Sequence, residues 1–290
     1  MFSITTEQRQ YITYILRDEQ APARLEVVPE RGGIVTRWSV GDRELLYLDE
    51  ERFADPNLSI RGGIPILFPI CGNLPNDTYT HNGQSYSLKQ HGFARNLPWA
   101  VTTQSTENQA SLTLELNSSE ATRAVYPFDF QLQFSYRLQG MTLAIHQEVT
   151  NLGPTPMPFS LGLHPYFQAS DKRALQFEIP SAEFRSQQDG QVQAFAGSFD
   201  LEQPEIDVLF GELSRQQATV VDPSRGTKLT LDYTAPYTML VFWTLKEKDF
   251  YCLEPWTAAR NALNTGDRLI NLDPETTIGT TVRLTASSLA

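Results

Sequence analysis

Alternation with a period of two residues recurs along this chain more than any other pattern. Leu112, Leu114 and Leu116 alternate with polar neighbours. So do Phe128, Phe130, Leu132, Phe134, Tyr136 and Leu138, then Leu143, Ile145 and Val149, and later Leu229, Leu231 and Tyr233. Successive side chains of a strand point to opposite faces, so this pattern predicts half-buried strands. Turn residues punctuate it at Asn82-Gly83, Gln139-Gly140, Asn151-Leu152-Gly153-Pro154 and Asp222-Pro223-Ser224-Arg225-Gly226. The Asn82-Gly83 pair predicts a tight hairpin, because both residues accept the positive φ that such a turn needs. Helical periodicity is confined to two short stretches, Ser118 to Val125 and Asp207 to Ser214, each a short helix or turn. The expectation is an all-β protein with two packed antiparallel sheets in one domain over residues 1–290. A 290-residue chain that is 40% hydrophobic can bury a core of that size.

One stretch breaks the alternation. RGGIPILFPICGNLPN, residues 61–76, holds three prolines and three glycines and is no regular central strand. So many fixed dihedrals suit a shaped wall better than a floppy linker.

A second stretch places a carboxylate among aromatic and apolar residues. In DFYCLEPW, residues 249–256, alternation puts Phe250, Cys252, Glu254 and Trp256 on one face and Tyr251, Leu253 and Pro255 on the other. An ionised glutamate in a dry core is costly unless paired, so Glu254 either sits at a rim or lines a cavity and is used. Of the four histidines, His81 falls at the hairpin tip and His146 on the polar face of a strand; both read as surface residues. His91, in LKQHGFAR, is accompanied by Arg95, and a core role and a ligand-wall role stand level. His164, in FSLGLHPYF, ends an apolar run with the small residues Ser160 and Gly162 on its own face. His164 and Glu254 each precede a proline, which restricts both backbones to extended dihedrals. A satisfied core histidine and a rim glutamate form the competing reading. Arg61 and Arg95 are either surface residues or fork donors to hydroxyl, carboxylate or phosphate oxygens.

Composition excludes several classes. The formal charge of −11 argues against nucleic-acid partners and anionic membranes. Cys71 and Cys252, the two cysteines, read as free packing thiols in a reducing compartment. No signal peptide and no apolar run of membrane-spanning length is seen, and the cytoplasm is expected. The chain lacks G-x-S-x-G, Walker, G-x-G-x-x-G and H-E-x-x-H motifs, and its histidines show no close metal-ligand spacing. No metal and no cofactor is expected. A histidine and a glutamate remain, a pair suited to proton transfer.

RGGIPILFP, KQHGFAR, LGLHPYF and CLEPW occur in that order. Together they resemble the aldose 1-epimerase (galactose mutarotase-like) superfamily, most of all its hexose-6-phosphate mutarotase branch. The likeness begins at VVPERGGIVTRWSVGDRELLYLD and covers most of the chain. The resemblance implies a large antiparallel β-supersandwich with few short helices and a sugar cleft on one sheet. It implies interconversion of the α and β anomers of an aldohexose or hexose 6-phosphate. It places the catalytic base on Glu254 and the acid on His164, with His91, Arg61 and Asp207 binding substrate. Asp200 is a rival for the last position, and Arg95 is the second cation that a phosphate would need. Phe93, Tyr166 and Trp256 are candidates to pack on a sugar face, with ordinary core packing the favoured role for most of them. The expected partner is a small sugar or sugar phosphate, and the expected state a monomer or weak homodimer. The competing functions are a mutarotase for free glucose or galactose only, a carbohydrate-binding relative without turnover, and a glycoside hydrolase using Glu254 and Asp207.

Overall fold

The computed structural model describes residues 1–289. Three sheets carry most of the chain. The first is an antiparallel five-stranded meander: Phe2–Gln8, Ile12–Asp18, Ala23–Val28, Ile34–Val40 and Arg43–Glu44. The second has eight strands, in the order Gln176–Glu178, Gln217–Asp222, Thr227–Tyr233, Thr277–Ser288, Thr142–Asn151, Phe130–Gln139, Ala110–Asn117 and Ala100–Ser105. The third runs Val192–Ala194, Glu183–Ser186, Glu205–Phe210, Met239–Leu245, Phe250–Trp256, Gly162–Leu163 and Ile66–Leu67, and Tyr166–Gln168 also pairs with Phe250–Trp256. The expectation of two sheets therefore missed one: the first meander buries consecutive residues, as at 25–28 and 34–36, and so carries little of the period-two signal.

The alternation places the core. Ala110–Asn117 and Thr142–Asn151 bury every second residue almost without interruption. Their register with Phe130–Gln139 sets Leu114 opposite Phe134, Leu116 opposite Leu132, Leu132 opposite Val149 and Tyr136 opposite Ile145. Such directly opposed apolar pairs are the unit of sheet stabilisation. This face packs on the third sheet, whose strand Phe250–Trp256 is buried on both faces. Tyr251 and Leu253 turn into the main core. Phe250, Cys252 and Trp256 turn the other way, into smaller apolar clusters with Tyr166, Trp243 and Val241. The third sheet thus offers one face to the core and uses the other as a floor.

The hairpin at Asn82-Gly83 joins Thr78–His81 to Gln84–Ser87, and Glu120–Val125 is a helix capped by Ser119, both as expected. Asp207 to Ser214 is not a helix. Glu205–Phe210 is a strand in register with Met239–Leu245, with Ile206, Val208 and Phe210 buried. The apolar positions of that stretch satisfy both periods over so short a length, and pairing with the neighbouring strand decides it.

Candidate active site

The floor of the third sheet opens into a cavity of about 350 Å³, lined by His91, His164, Glu254, Asp207, Trp243 and Trp256 among others, with Arg52, Arg61, Arg95 and Arg260 around it. Cross-strand register explains how the floor is set. Glu254 lies opposite Val241, and Asp207 lies opposite Trp243. Directly opposed residues share a face, so all four side chains rise on the cavity side.

His164 owes its position to an interruption. Gly162 pairs with Trp256 and Tyr166 pairs with Cys252, so His164 falls level with Glu254, in the gap between two short strands. Pro165 cannot donate to the ladder and enforces that gap. The His164 N–H donates instead to the Pro65 carbonyl at 3.0 Å, which ties the residue to the Gly-Gly-Ile-Pro segment. That segment is buried from Gly62 through Gly72, as a wall must be. The His164 ring stacks on Tyr166, with centroids 4.6 Å apart, and meets Trp243 edge-on.

The result is a close pair. His164 Nε2 stands 3.3 Å from Glu254 Oε1, with the two side chains 9% and 1% exposed. Trp256 Nε1–H donates to the other carboxylate oxygen at 3.1 Å. Burial pushes the Glu254 carboxyl well above the usual carboxylate range; the Asp207 charge adds to this, and the Trp256 hydrogen bond and the Arg260 and Arg95 charges oppose it. Burial, and after it the Arg95 guanidinium, push the His164 imidazole down to about 3. In water a glutamate binds its proton more weakly than a histidine by ~2 pKa units. Burial disfavours the charged form of each and here reverses that order, so that the carboxyl holds its proton more firmly than the imidazole. For the carboxylate to serve as a base, that proton must first pass to the imidazole 3.3 Å away.

His91 is fixed by a reciprocal contact. The Gly72 N–H donates to His91 Nδ1 at 3.0 Å, and the His91 N–H donates to the Gly72 carbonyl at 2.7 Å. With Nδ1 accepting, the neutral ring carries its proton on Nε2, and this is the donor available to the cavity. Burial, then Arg95, hold His91 well below the ordinary imidazole range and therefore neutral.

Asp207 accepts from Gln187 Nε2 at 2.7 Å and from the Arg260 guanidinium. Asp200 lies in an exposed turn and accepts from the Glu202 N–H, away from the cavity. Arg61 places its guanidinium 6.0 Å from the Trp243 ring centroid. Arg95 donates to the Gln90 carbonyl at 2.9 Å, and its buried Nε has no partner among the described residues. Among those residues Arg52, Arg61 and Arg95 form no ion pair with a carboxylate, whereas Arg260 does. Three guanidinium groups with unspent charge thus face a cavity in an otherwise acidic chain.

A family model for aldose 1-epimerases matches residues 20–285. The chain belongs to the aldose 1-epimerase family. The Slr1438 protein of Synechocystis sp. PCC 6803 shares the fold and 46% of the sequence, over 99% of this chain and 100% of that one, with a TM-score of 0.95. A galactose mutarotase-like protein from Clostridium acetobutylicum superposes over 99% of each chain with a TM-score of 0.83 at 19% identity, a likeness of fold. A Salmonella typhimurium relative named "Putative glucose-6-phosphate 1-epimerase" is 35% identical over 143 residues, which are 49% of this chain and 44% of that one, less than half of that relative's length.

All six residues expected at the site, Glu254, His164, His91, Arg61, Asp207 and Arg95, line this one cavity. Tyr166 and Trp256 line it too, whereas Phe93 packs in the core against Phe68 and Phe130. Sequence reasoning missed Arg260, Arg52, Trp243 and Glu205. Arg260 lies six residues beyond Glu254, past the end of its strand, where no spacing rule places a side chain. Trp243 and Glu205, joined by an Nε1–H to Oε1 hydrogen bond of 2.7 Å, had a usable signal. They share the cavity face with Glu254 by alternation once the strand order is known.

Proposed function

We propose that this protein is a mutarotase for hexoses that carry an anionic group, of the hexose 6-phosphate class. One observation carries the reading: His164 and Glu254 stand level with each other as a buried pair, in a cavity rimmed by three guanidinium groups that have no carboxylate partner among the described residues. Glu254 takes the proton of the anomeric hydroxyl, and His164 gives one to the ring oxygen. The ring opens to the aldehyde, the aldehyde turns about its bond to the next carbon, and closure from the other face returns both protons. His91 donates from Nε2 to a substrate oxygen. Arg61 and Arg95 hold the anion by charge-assisted hydrogen bonds, the kind that a planar fork makes best with phosphate. No redox step and no covalent bond between sugar and protein is required.

Among the described residues no helix is long and apolar enough to cross a membrane. The two thiols are free and buried, which fits a reducing compartment, and we place the protein in the cytoplasm.

The test is anomer exchange followed by NMR on glucose 6-phosphate, glucose and galactose. Wild-type protein should accelerate exchange of the phosphorylated sugar most. Glu254→Gln keeps the shape and removes the base, and should lose about 10²–10⁴ in rate. Arg61→Met should raise KM for the phosphorylated sugar at least ~10-fold, the effect of losing one hydrogen bond to a charged group, and leave KM for glucose nearly unchanged. A folded Glu254→Gln protein with full activity would sink the mechanism. Equal effects of Arg61→Met on both sugars would sink the phosphate assignment.

A further inference from the structure

Cys252 is two residues from Glu254 on the same strand and shares its face. It is fully buried, and the proton transfers above give it no task. A ring nitrogen of His164, Sγ of Cys252 and a carboxylate oxygen of Glu254 all lie within 4.8 Å of one another. The three residues are separated widely in sequence or sit two apart on a strand, so no ligand-spacing motif announces them.

We propose that His164, Cys252 and Glu254 form a site for a thiophilic divalent cation, zinc or cadmium, and that filling it switches the enzyme off. The donor set is one nitrogen, one sulfur and one oxygen, the mixture that zinc accepts and that magnesium and calcium do not. The geometry agrees. Two ligands at ~2.0–2.1 Å from a tetrahedral ion stand roughly 3.3–3.4 Å apart; His164 Nε2 and Glu254 Oε1 are 3.3 Å apart. The sulfur of a tetrahedral site stands about 3.6 Å from the other two donors, so within the 4.8 Å limit the third bond takes a shift of at most about 1.2 Å. Two of the three ligands, His164 and Glu254, line the cavity, which supplies the entry path, with the fully buried Cys252 beneath them. On binding, the Cys252 S–H bond breaks and a metal–sulfur bond forms, while the thiol proton and the proton held by the His164–Glu254 pair leave to solvent. The ion then occupies the lone pairs of both proton-transfer groups, so inhibition follows from occupancy alone. This last step rests on the mutarotase reading; the binding itself does not.

The experiment is titration of the metal-free protein with Co²⁺ and Cd²⁺ followed by absorbance, beside Zn²⁺ titration of anomer exchange. The expected result is a thiolate-to-metal charge-transfer band that saturates at one ion per chain. It should vanish in Cys252→Ser and persist in Cys71→Ser. Zn²⁺ should abolish exchange at the same stoichiometry, and EDTA should restore it. The zinc concentration for half inhibition, scaled to each variant's own metal-free rate, should rise at least ~10-fold in Cys252→Ser, since second-sphere changes alone reach that size. If Cys252→Ser does not fold, ¹¹³Cd NMR of the wild type reports directly on a sulfur ligand. No band in the wild type, or a band unchanged by Cys252→Ser, overturns the site. An active enzyme without the band defeats this inference and leaves the mutarotase reading intact. The band in a protein without exchange activity supports the metal site and defeats the mutarotase reading.

Discussion

Gly92 separates two effects that are usually confounded. Its φ is +68°, and a β-carbon there would lie 2.2 Å from the Phe68 carbonyl oxygen, 2.6 Å from its carbon and 2.7 Å from Pro69 Cδ. Gly83 has a similar φ, +77°, and nothing within 4 Å of its would-be β-carbon. Placing an L-residue in the left-handed region costs about 1–2 kcal/mol. That is the whole expected cost of Gly83→Ala. In Gly92→Ala the clash is with backbone, so the segments must part by roughly 1 Å to regain van der Waals distance. The Phe68 carbonyl accepts from the Phe93 N–H at 3.0 Å and from the Ala94 N–H at 3.3 Å, and parting strains both bonds. At about 1 kcal/mol each, the total reaches about 3–4 kcal/mol. Thermal unfolding should show losses of about 6–16 °C for Gly92→Ala and about 2–8 °C for Gly83→Ala, at about 2–4 °C per kcal/mol. His91 immediately precedes Gly92, so the same shift moves its Nε2–H. A misplacement of about 1 Å can cost up to about 10²-fold in rate. Anomer exchange should therefore fall at least tenfold in Gly92→Ala and stay at the wild-type rate in Gly83→Ala. Equal melting temperatures for the two variants, or a fully active Gly92→Ala, would refute the claim that backbone contact at this glycine holds the wall.

Two further outcomes are expected. Asp207→Asn removes a charge that the Arg260 guanidinium meets directly and should lower kcat/KM by about 10–150-fold, the equivalent of about 1.5–3 kcal/mol; Asp200→Asn, in its exposed turn, should stay within about twofold. Steady-state kinetics on both variants decides which aspartate serves the site. Glu26 is 1% exposed and accepts from Arg9 at 2.8 and 3.1 Å, with Arg24 also against it. Because both arginines reach solvent, Glu26→Gln should cost about 1–3 kcal/mol of stability, below the full penalty of a broken buried pair, and leave exchange kinetics alone. Denaturant unfolding and the exchange assay read the two halves separately.

Much of this was legible in the residues because strand alternation carries its own geometry. Once Phe250–Trp256 is read as a strand, Glu254 and Trp256 must share a face, and Tyr251 and Leu253 must share the other. The core and the two-faced floor follow from that. The prolines after His164 and Glu254 marked both residues as fixed in backbone, and the structure shows the first of them breaking a strand. Strand order is another matter. Nothing local says that Glu205–Phe210 lies beside Met239–Leu245, so Asp207 was placed in a helix or turn while its place in the cavity depends on that pairing. Arg260 was invisible for a related reason. It reaches the site from beyond the strand end, and its partner Asp207 is 53 positions away. Long-range contacts of this kind have no signature in spacing.

Glu254 stands in a fully paired strand, and His164 is held in the break between two short strands that pair with it, and this decides what must move. The Glu254 backbone cannot travel without unzipping a sheet, and the His164 backbone cannot travel without breaking its bond to the Pro65 carbonyl. Inverting an anomeric centre requires half a revolution of the aldehyde between ring opening and ring closing. In the proposed reaction the sheet is the stator and the sugar is the rotor. The arginine rim would grip the far end of the molecule as an axle, and the space above Glu254 and its neighbour Val241 would be the clearance in which the aldehyde turns. Bulk added at Val241 would then slow the turn while both ring forms still bound.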